Sequence, residues 1–255
     1  MDFASIDLAA LLPFIAVGFA AQLVDGALGM AFGVISNTLL VGVMGVPPAL
    51  ASQRVHLVEC FTTATSGISH LLHGNIDKRL FFRLLIPGMI GGILGAYVLT
   101  SLDAGVVKPF VLAYLTAIGI YLLVRGLLYP PKIKEAKLIA PLGLFGGFLD
   151  AAGGGGWGPV VTSNLLIQGA DPRKVVGTVN SVEFFLTLTV SAAFIWHLGV
   201  ADVAGATLGL LIGGIAAAPL GAWAAKHFPP KQMLILVGFV LSLTSAYGAY
   251  KALGL

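Results

Sequence analysis

Long uninterrupted apolar stretches restrict the fold of this chain more than any other feature of its sequence. Most of them are long enough to cross the ~30 Å hydrocarbon core of a bilayer as a helix. They do not alternate apolar and polar residues as the strands of a membrane barrel do. The stretches cover residues 8–44, 48–72, 84–99, 106–128, 138–168, 175–198, 203–225 and 233–250. This pattern predicts an all-α, polytopic helical membrane protein.

The composition excludes water-soluble globular, disordered and nucleic-acid-binding classes. Hydrophobic residues make up 58% of the 255 positions and charged residues only 10%, against about 25% charged residues in an average soluble domain. The net charge of +3 fits basic cytoplasmic loops, so we expect no nucleic-acid partner. The single cysteine, Cys60, allows no internal disulfide and no cysteine metal site. The first residues lack a positive region, so we expect no cleavable signal peptide.

The first and fifth stretches are too long for one crossing, because some 35 residues in one helix would reach about 50 Å. Each is interrupted by glycine, near Asp25 to Gly29 and at Gly153 to Gly156. We predict that each forms a hairpin of short or re-entrant helices. Asp25, Gly29 and Asp150 are predicted to shape the breaks, with the two aspartates as caps of the half-helices that follow.

The two halves of the chain are an internal repeat with a period of about 125 residues. The matched pairs include Asp25 with Asp150, Asn37 with Asn164, Pro48 with Pro172, His56 with Asn180 and Glu59 with Glu183. We therefore predict a first transmembrane repeat over 1–128, a cytoplasmic linker over 129–137 and a second transmembrane repeat over 138–255. Each repeat would contain one broken hairpin and three membrane helices.

The distribution of basic residues predicts how the repeats are oriented. Basic residues cluster at 78–83, 125–137, 173–174 and 226–231. These segments can all be cytoplasmic only if both broken stretches return the chain to the side they entered. The repeats are then inverted and both termini lie outside. Inverted repeats with broken helices are typical of secondary transporters, whose substrate site lies near the midplane.

A polar stripe indicates a cavity at that depth. Glu59 and Glu183 each follow a helix-starting proline by eleven residues, which places them about 16 Å into the membrane. Intramembrane charges cost about 2.5–3.5 kcal/mol each, so two matched acids indicate a polar interior. His56 shares a helix face with Glu59, and we predict that His56, Glu59 and Glu183 couple proton movement. The alternative is that these side chains only hydrogen-bond helices together.

The glycine run is the second candidate site. Unwound glycine backbone at the start of a half-helix directs N–H groups towards an anion. The alternative is tight helix packing on small residues. The predicted substrate-binding residues are Asn37, Gly153, Gly154, Gly155, Gly156, Trp157, Asn164 and Asn180.

These motifs resemble the TauE/SafE family of sulfite and organosulfonate exporters, the 4-toluene sulfonate uptake permease group. The matching residues are Asp25 to Gly29 with Asn37, Asp150 to Pro159 with Asn164, and Gly177 to Asn180 with Glu183. The resemblance implies that the protein exports sulfite, sulfoacetate or another organosulfonate across the bacterial inner membrane. The termini, which the basic segments place outside, would then be periplasmic. Sulfonate oxygens would bind the glycine N–H groups. A homodimer is left open.

Two other functions compete with proton-coupled export. One is an anion or proton channel that uses the same carboxylates. The other is an integral membrane enzyme with His56 and Glu59 as an acid–base or metal pair, although no third ligand or nucleophile lies at a telling spacing. We predict that the chain is not an enzyme and has neither a cofactor nor a resident metal.

Overall fold

A computed structural model describes residues 8–28, 30–128, 138–167, 172–199, 204–227 and 229–253, and this part of the chain is helical and contains no strand. The helices are α1 (Leu8–Leu28), α2 (Phe32–Asn37), α3 (Pro48–Leu72), α4 (Lys78–Ser101), α5 (Ala104–Leu127), α6 (Ile139–Gly153), α7 (Ser163–Ile167), α8 (Pro172–Leu198), α9 (Ala204–His227) and α10 (Pro230–Ala252). The prediction of an all-α polytopic membrane protein is confirmed.

Helices long and apolar enough to cross a membrane lie at Lys78–Ser101, Ala104–Leu127, Lys174–Leu198 and Leu234–Ala252. Shorter apolar helices lie at 10–25, 32–43, 139–153 and 205–217. Large apolar side chains such as Phe82, Phe110 and Leu236 are exposed on the outside of the bundle. In a membrane, these side chains contact lipid.

Helix α4 begins six residues earlier than the apolar stretch from residue 84 indicated. The Oδ1 atom of Asp77 accepts hydrogen bonds from the N–H groups of Arg79 (2.9 Å) and Leu80 (3.1 Å). This cap makes the basic segment at 78–83 the first turns of a helix rather than a loop. Charged residues can extend a membrane helix beyond the apolar core, and hydropathy alone does not show this.

Both predicted breaks are present. Helix α1 ends at Leu28 and α2 begins at Phe32, and α2 continues as a π-helical segment over Thr38–Val43. Helix α6 ends at Gly153 and is followed by a π-helical segment over Trp157–Thr162 that leads into α7. The first break lies slightly later than predicted, so Asp25 belongs to the last turn of α1. Gly29 and the predicted linker at 129–137 lie outside the described residues.

The halves exchange helices. Helix α1 packs along α9, and its repeat counterpart α6 packs along α4, the counterpart of α9. The remaining matched helices pack on each other, α3 on α8 and α5 on α10. Each half therefore supplies a packing surface that the other half needs.

Helices α3 and α8 run antiparallel. The Gln53 amide donates to the Gly199 carbonyl (2.8 Å), whereas the N–H of Asp77, just beyond the other end of α3, donates to Thr178 Oγ1 (2.8 Å). Antiparallel packing of matched helices supports inverted repeats. The orientation of the halves in the membrane and the position of the termini stay predictions.

Candidate functional site

The two breaks touch each other in the interior. A Cβ added to Gly155 would overlap the backbone N of Val34 and lie 2.6 Å from the carbonyl carbon of Gly33. The φ angle of Gly155 is +126°, a conformation that residues with a Cβ rarely adopt. Glycine at this position therefore lets the second break reach the start of α2.

Asp150 caps the half-helix after the second break. Its Oδ1 atom accepts hydrogen bonds from the N–H groups of Gly156 (2.8 Å) and Trp157 (2.9 Å). Its backbone carbonyl accepts from the N–H groups of Gly154 and Gly155. The structural role predicted for Asp150 agrees with this geometry. The same bonds occupy the N–H groups of Gly154 to Trp157, which we expected to face an anion, and direct them to Asp150 instead.

His56 contacts Oδ2, the second carboxylate oxygen of Asp150. Its Nε2 atom lies 3.0 Å from Asp150 Oδ2, and its Nδ1 atom lies 2.7 Å from the carbonyl oxygen of Ser52. The carbonyl can only accept, so Nδ1 carries a proton. One further proton lies between Nε2 and Oδ2, either on the imidazole or on the carboxyl group. Both ring nitrogens of His56 therefore have partners, and the buried pair joins α3 to the second break.

Asp25 is held much more loosely than its counterpart Asp150. Its Oδ1 atom accepts one described hydrogen bond, from the N–H of Phe32 at 3.2 Å. The carboxylate also lines a cavity. Asp25 thus has fewer hydrogen-bond partners among the described residues than Asp150, which contacts His56 and the glycine backbone.

A polar cavity of about 200 Å³ lies beside the first break, between α1, α3 and α8. Its lining residues are Gln22, Asp25, Phe32, Glu59, Thr62, Thr63, Ser66, His70, Val176, Asn180 and Glu183. A smaller hollow between the two breaks is bordered by Asp25, Glu59, Asp150 and Glu183. The cavity lining combines three carboxyl groups with neutral hydrogen-bond donors and contains no lysine or arginine among these residues.

The structure brings only some of the predicted site residues to this cavity. Glu59, Glu183 and Asn180 line it, and the Asn180 amide donates to Ser66 Oγ (3.2 Å). The amide of Asn37 donates to the Gly33 carbonyl (3.2 Å), and its side chain is buried against Gly154. The amide of Asn164 donates to the Val160 carbonyl one turn earlier (2.7 Å). These two matched asparagines bond to backbone carbonyls and are not among the lining residues.

Trp157 is packed inside the bundle. Its side chain is fully buried, its indole N–H donates to the Val179 carbonyl (3.2 Å), and its ring lies against Gly88 and Gly146. Gly88 on α4 and Gly146 on α6 make room for its ring, and Trp157 is not among the residues that line the cavity or the hollow between the breaks.

Gln22 and Tyr114 are among the residues of the site region that were not predicted from the sequence. Gln22 lines the cavity one turn before Asp25 on α1, a spacing that could have indicated it. The Tyr114 hydroxyl donates to the Gly155 carbonyl (3.0 Å), and its ring packs against Gly153 and Gly156. Tyr114 lies on α5, and no motif connects it with the glycine run.

Within the described part of the chain, no group of three or more His, Cys, Asp or Glu side chains is placed to hold a metal ion. The His56–Asp150 pair has no third ligand of these types. Proton chemistry of the carboxyl groups and the imidazole is what this arrangement offers directly.

Comparison with known proteins gives matches over nearly the whole chain. The family model described as Sulfite exporter TauE/SafE matches residues 14–248. YtnM of Bacillus subtilis (strain 168), a probable membrane transporter protein, is 45% identical over 245 residues, 92% of this chain and 81% of the relative. A probable membrane transporter protein of Haemophilus influenzae is 24% identical over 253 residues, 95% of this chain and 96% of the relative. No solved structure matches the chain.

Proposed function

Because the chain belongs to the TauE/SafE sulfite exporter family and is a multi-pass membrane transporter, we propose that it exports a small sulfur-containing anion across the inner membrane. The observation that carries the proposal is the acidic cavity beside the meeting point of the two breaks. The family and the relatives point to transport rather than to an enzyme.

Neutral side chains supply the hydrogen bonds that the anion would accept. The Asn180 amide, the Gln22 amide and the hydroxyl of Ser66 line the cavity. Sulfite and the sulfonate group present three oxygen acceptors to such donors. A cavity of about 200 Å³ also has room for a few waters, each of which fills about 30 Å³ in the liquid.

The three carboxyl groups make binding depend on protons. An ionised Asp25, Glu59 or Glu183 repels an anion in a cavity where water does not screen the charges fully. Protonation removes this repulsion, so the anion and protons favour each other's binding. His56 is included because it contacts Asp150, which borders the same hollow. Glu59, Glu183 and His56 are therefore the proposed coupling residues.

The membrane potential favours the outward direction. A negative interior drives an anion out by about 2.3 kcal/mol per charge per 100 mV. Each proton that travels with the anion reduces the net charge moved by one. The number of coupled protons therefore decides how strongly the voltage drives export.

Sulfite flux in proteoliposomes tests the coupling. The double variant Glu59→Gln and Glu183→Gln should lose most of the pH dependence of flux, because amides neither titrate nor repel the anion. Asp103→Asn, which removes a charge from an exposed helix cap, should keep the parental pH profile. An unchanged pH profile in the double variant would defeat the coupling proposal.

Binding measurements test the substrate class. Thermal unfolding should shift to higher temperature with sulfite, sulfoacetate or another sulfonate, and less with acetate at equal concentration. Sulfate, thiosulfate and taurine complete the series. An equal shift with acetate would contradict a preference for sulfur oxyanions.

A proton-conducting channel is the second candidate. The three carboxyl groups among the described lining residues favour protons over anions as the permeant ion. A channel predicts proton flux that needs no sulfur anion and does not saturate with its concentration. A transporter predicts saturable anion flux.

A further inference from the structure

Among the described residues, the lining of the polar cavity extends from the two glutamates towards one end of the bundle. Its lining on α3 runs from Glu59 through Ser66 to His70 in the last turn of the helix, about 16 Å along the axis. Its lining on α8 runs from Glu183 back to Val176, near the start of that helix. Both segments lead away from the midplane in the same direction, because α3 and α8 are antiparallel.

In the opposite direction the same two helices are closed. Ser52 and His56 on α3 and Thr187 on α8 are fully buried, and Ser191 is only 4% exposed. Cross-helix contacts hold this half together. The Ser52 hydroxyl donates to the Ala151 carbonyl (3.0 Å), and Cys60 Sγ lies 3.6 Å from Ser191 Oγ.

The repeat relates the open half to the closed half. The matches of His56 with Asn180 and Glu59 with Glu183 fix the register. In this register the lining segment 59–70 of α3 corresponds to 183–194 of α8, and the lining segment 176–183 of α8 corresponds to 52–59 of α3. The closed half is therefore built from the repeat counterparts of the segments that line the cavity.

One pair of matched positions differs sharply in chemistry. His70, at the open end, corresponds to Phe194, which is fully buried. The Phe194 ring lies 6.0 Å from the imidazole of His56, measured between ring centroids. His56 is itself held by Asp150 and Ser52. A large apolar ring thus lies on the imidazole where the other half has a polar side chain and a cavity.

We propose that Phe194, packed on His56, is the gate that closes the cavity on the side away from His70, and that Ser52 and Thr187 line the second half of the transport path. This inference rests on the proposed transport function. It assigns a role to Phe194, which is not among the residues predicted to bind the substrate or to couple protons. Because His56 contacts Asp150, a movement of the Phe194 ring that displaces His56 would also alter the contacts of the second break.

Cysteine labelling tests the gate without any sulfur anion. In a Cys60→Ser background, Ser66→Cys reports on the open half and Thr187→Cys on the closed half. A small water-soluble maleimide, which adds to a thiol without releasing a sulfur anion, should label Ser66→Cys readily and Thr187→Cys slowly. Adding Phe194→Ala should speed labelling of Thr187→Cys by about tenfold or more, the effect of an order-of-magnitude rise in the open population. Labelling of Ser66→Cys should not change.

Matched variants keep the test decisive. Phe184→Ala removes the same type of side chain from the same helix, away from His56, and should leave Thr187→Cys slow. If Phe194→Ala does not fold, Phe194→Leu and His56→Asn, which introduces the residue of the matched position, should give a smaller increase in the same direction. The gate is overturned if Thr187→Cys is as reactive as Ser66→Cys in the parent, or stays unreactive in all folded gate variants. Failure of sulfite to bind would instead count against the proposed substrate alone.

Discussion

The imidazole of His56 and the carboxylate of Asp150 meet at 3.0 Å and join α3 of the first repeat to the break of the second. Asp150 also receives two backbone hydrogen bonds from the residues after that break. Its counterpart Asp25 receives one, at 3.2 Å. Two equivalent aspartates therefore have different surroundings, and we expect them to behave differently when changed.

Asp150→Asn should destabilise the protein much more than Asp25→Asn. The amide turns one acceptor into a donor and weakens charge-assisted bonds, each of which contributes about 1.5–3 kcal/mol. Asp25→Asn can keep its one long bond through the amide oxygen and should instead alter the pH dependence of flux, because Asp25 lines the cavity. Thermal unfolding in detergent and flux in proteoliposomes measure the two effects. Equal losses of stability would show that the two breaks are held alike.

Gly155→Ala should prevent the two breaks from meeting. The added methyl group would overlap Val34 N, and the φ angle of +126° is strained for alanine. Gly74→Ala is the matched control, because Gly74 also has a positive φ angle, +66°, but nothing lies within 4 Å of an added Cβ. The control should cost about 1 kcal/mol and the Gly155 variant considerably more. Yield of monodisperse protein and its unfolding temperature decide between these outcomes.

Tyr114→Phe should loosen the second break. The variant leaves the Gly155 carbonyl without the hydroxyl that donates to it at 3.0 Å, at a cost of about 1 kcal/mol. Tyr247→Phe, on the exposed surface of α10, should leave the unfolding temperature unchanged. If both variants behave like the parent, the Tyr114 hydroxyl does not stabilise the break.

Asn180→Ala should weaken sulfite binding by about tenfold, the effect of losing one hydrogen bond of about 1.4 kcal/mol. Asn164→Ala should leave the affinity unchanged, because the Asn164 amide bonds to its own helix at Val160 and is not among the lining residues. Titration calorimetry of the purified variants gives both values. A loss of affinity in the Asn164 variant alone would place the anion at the second break, as first predicted from the glycine run.

Much of the fold can be predicted from the sequence because the thickness of the bilayer fixes the approximate length of a helix that crosses it. The apolar stretches predicted where the helices lie. The two stretches that exceed one crossing predicted the breaks, which the structure contains after α1 and α6. Their distances to Pro48 and Pro172 predict that Glu59 and Glu183 lie near the midplane, and this depth stays a prediction. The inverted orientation, the domain boundaries and a homodimer stay predictions.

The role of the glycine run was harder to predict. Sequence shows that N–H groups after Gly153 lack helical acceptors, but not which acceptor takes them, and in the structure it is Asp150. Trp157 beside the glycines suggested a cavity, whereas the small residues accommodate its ring. In both cases the partner is determined by three-dimensional packing, and the spacing of residues in the sequence does not indicate it.

The exchange of helices between the halves has a consequence for biogenesis. Helix α1 packs mainly along α9, which begins almost 200 residues later in the chain. When only the first repeat has been synthesised, the start of α2 lacks its contact with Gly155, because that residue belongs to the second repeat. Insertion of this protein must tolerate an incomplete first half until the ninth helix reaches the bilayer, and truncation before that point leaves an unfinished bundle rather than half a transporter.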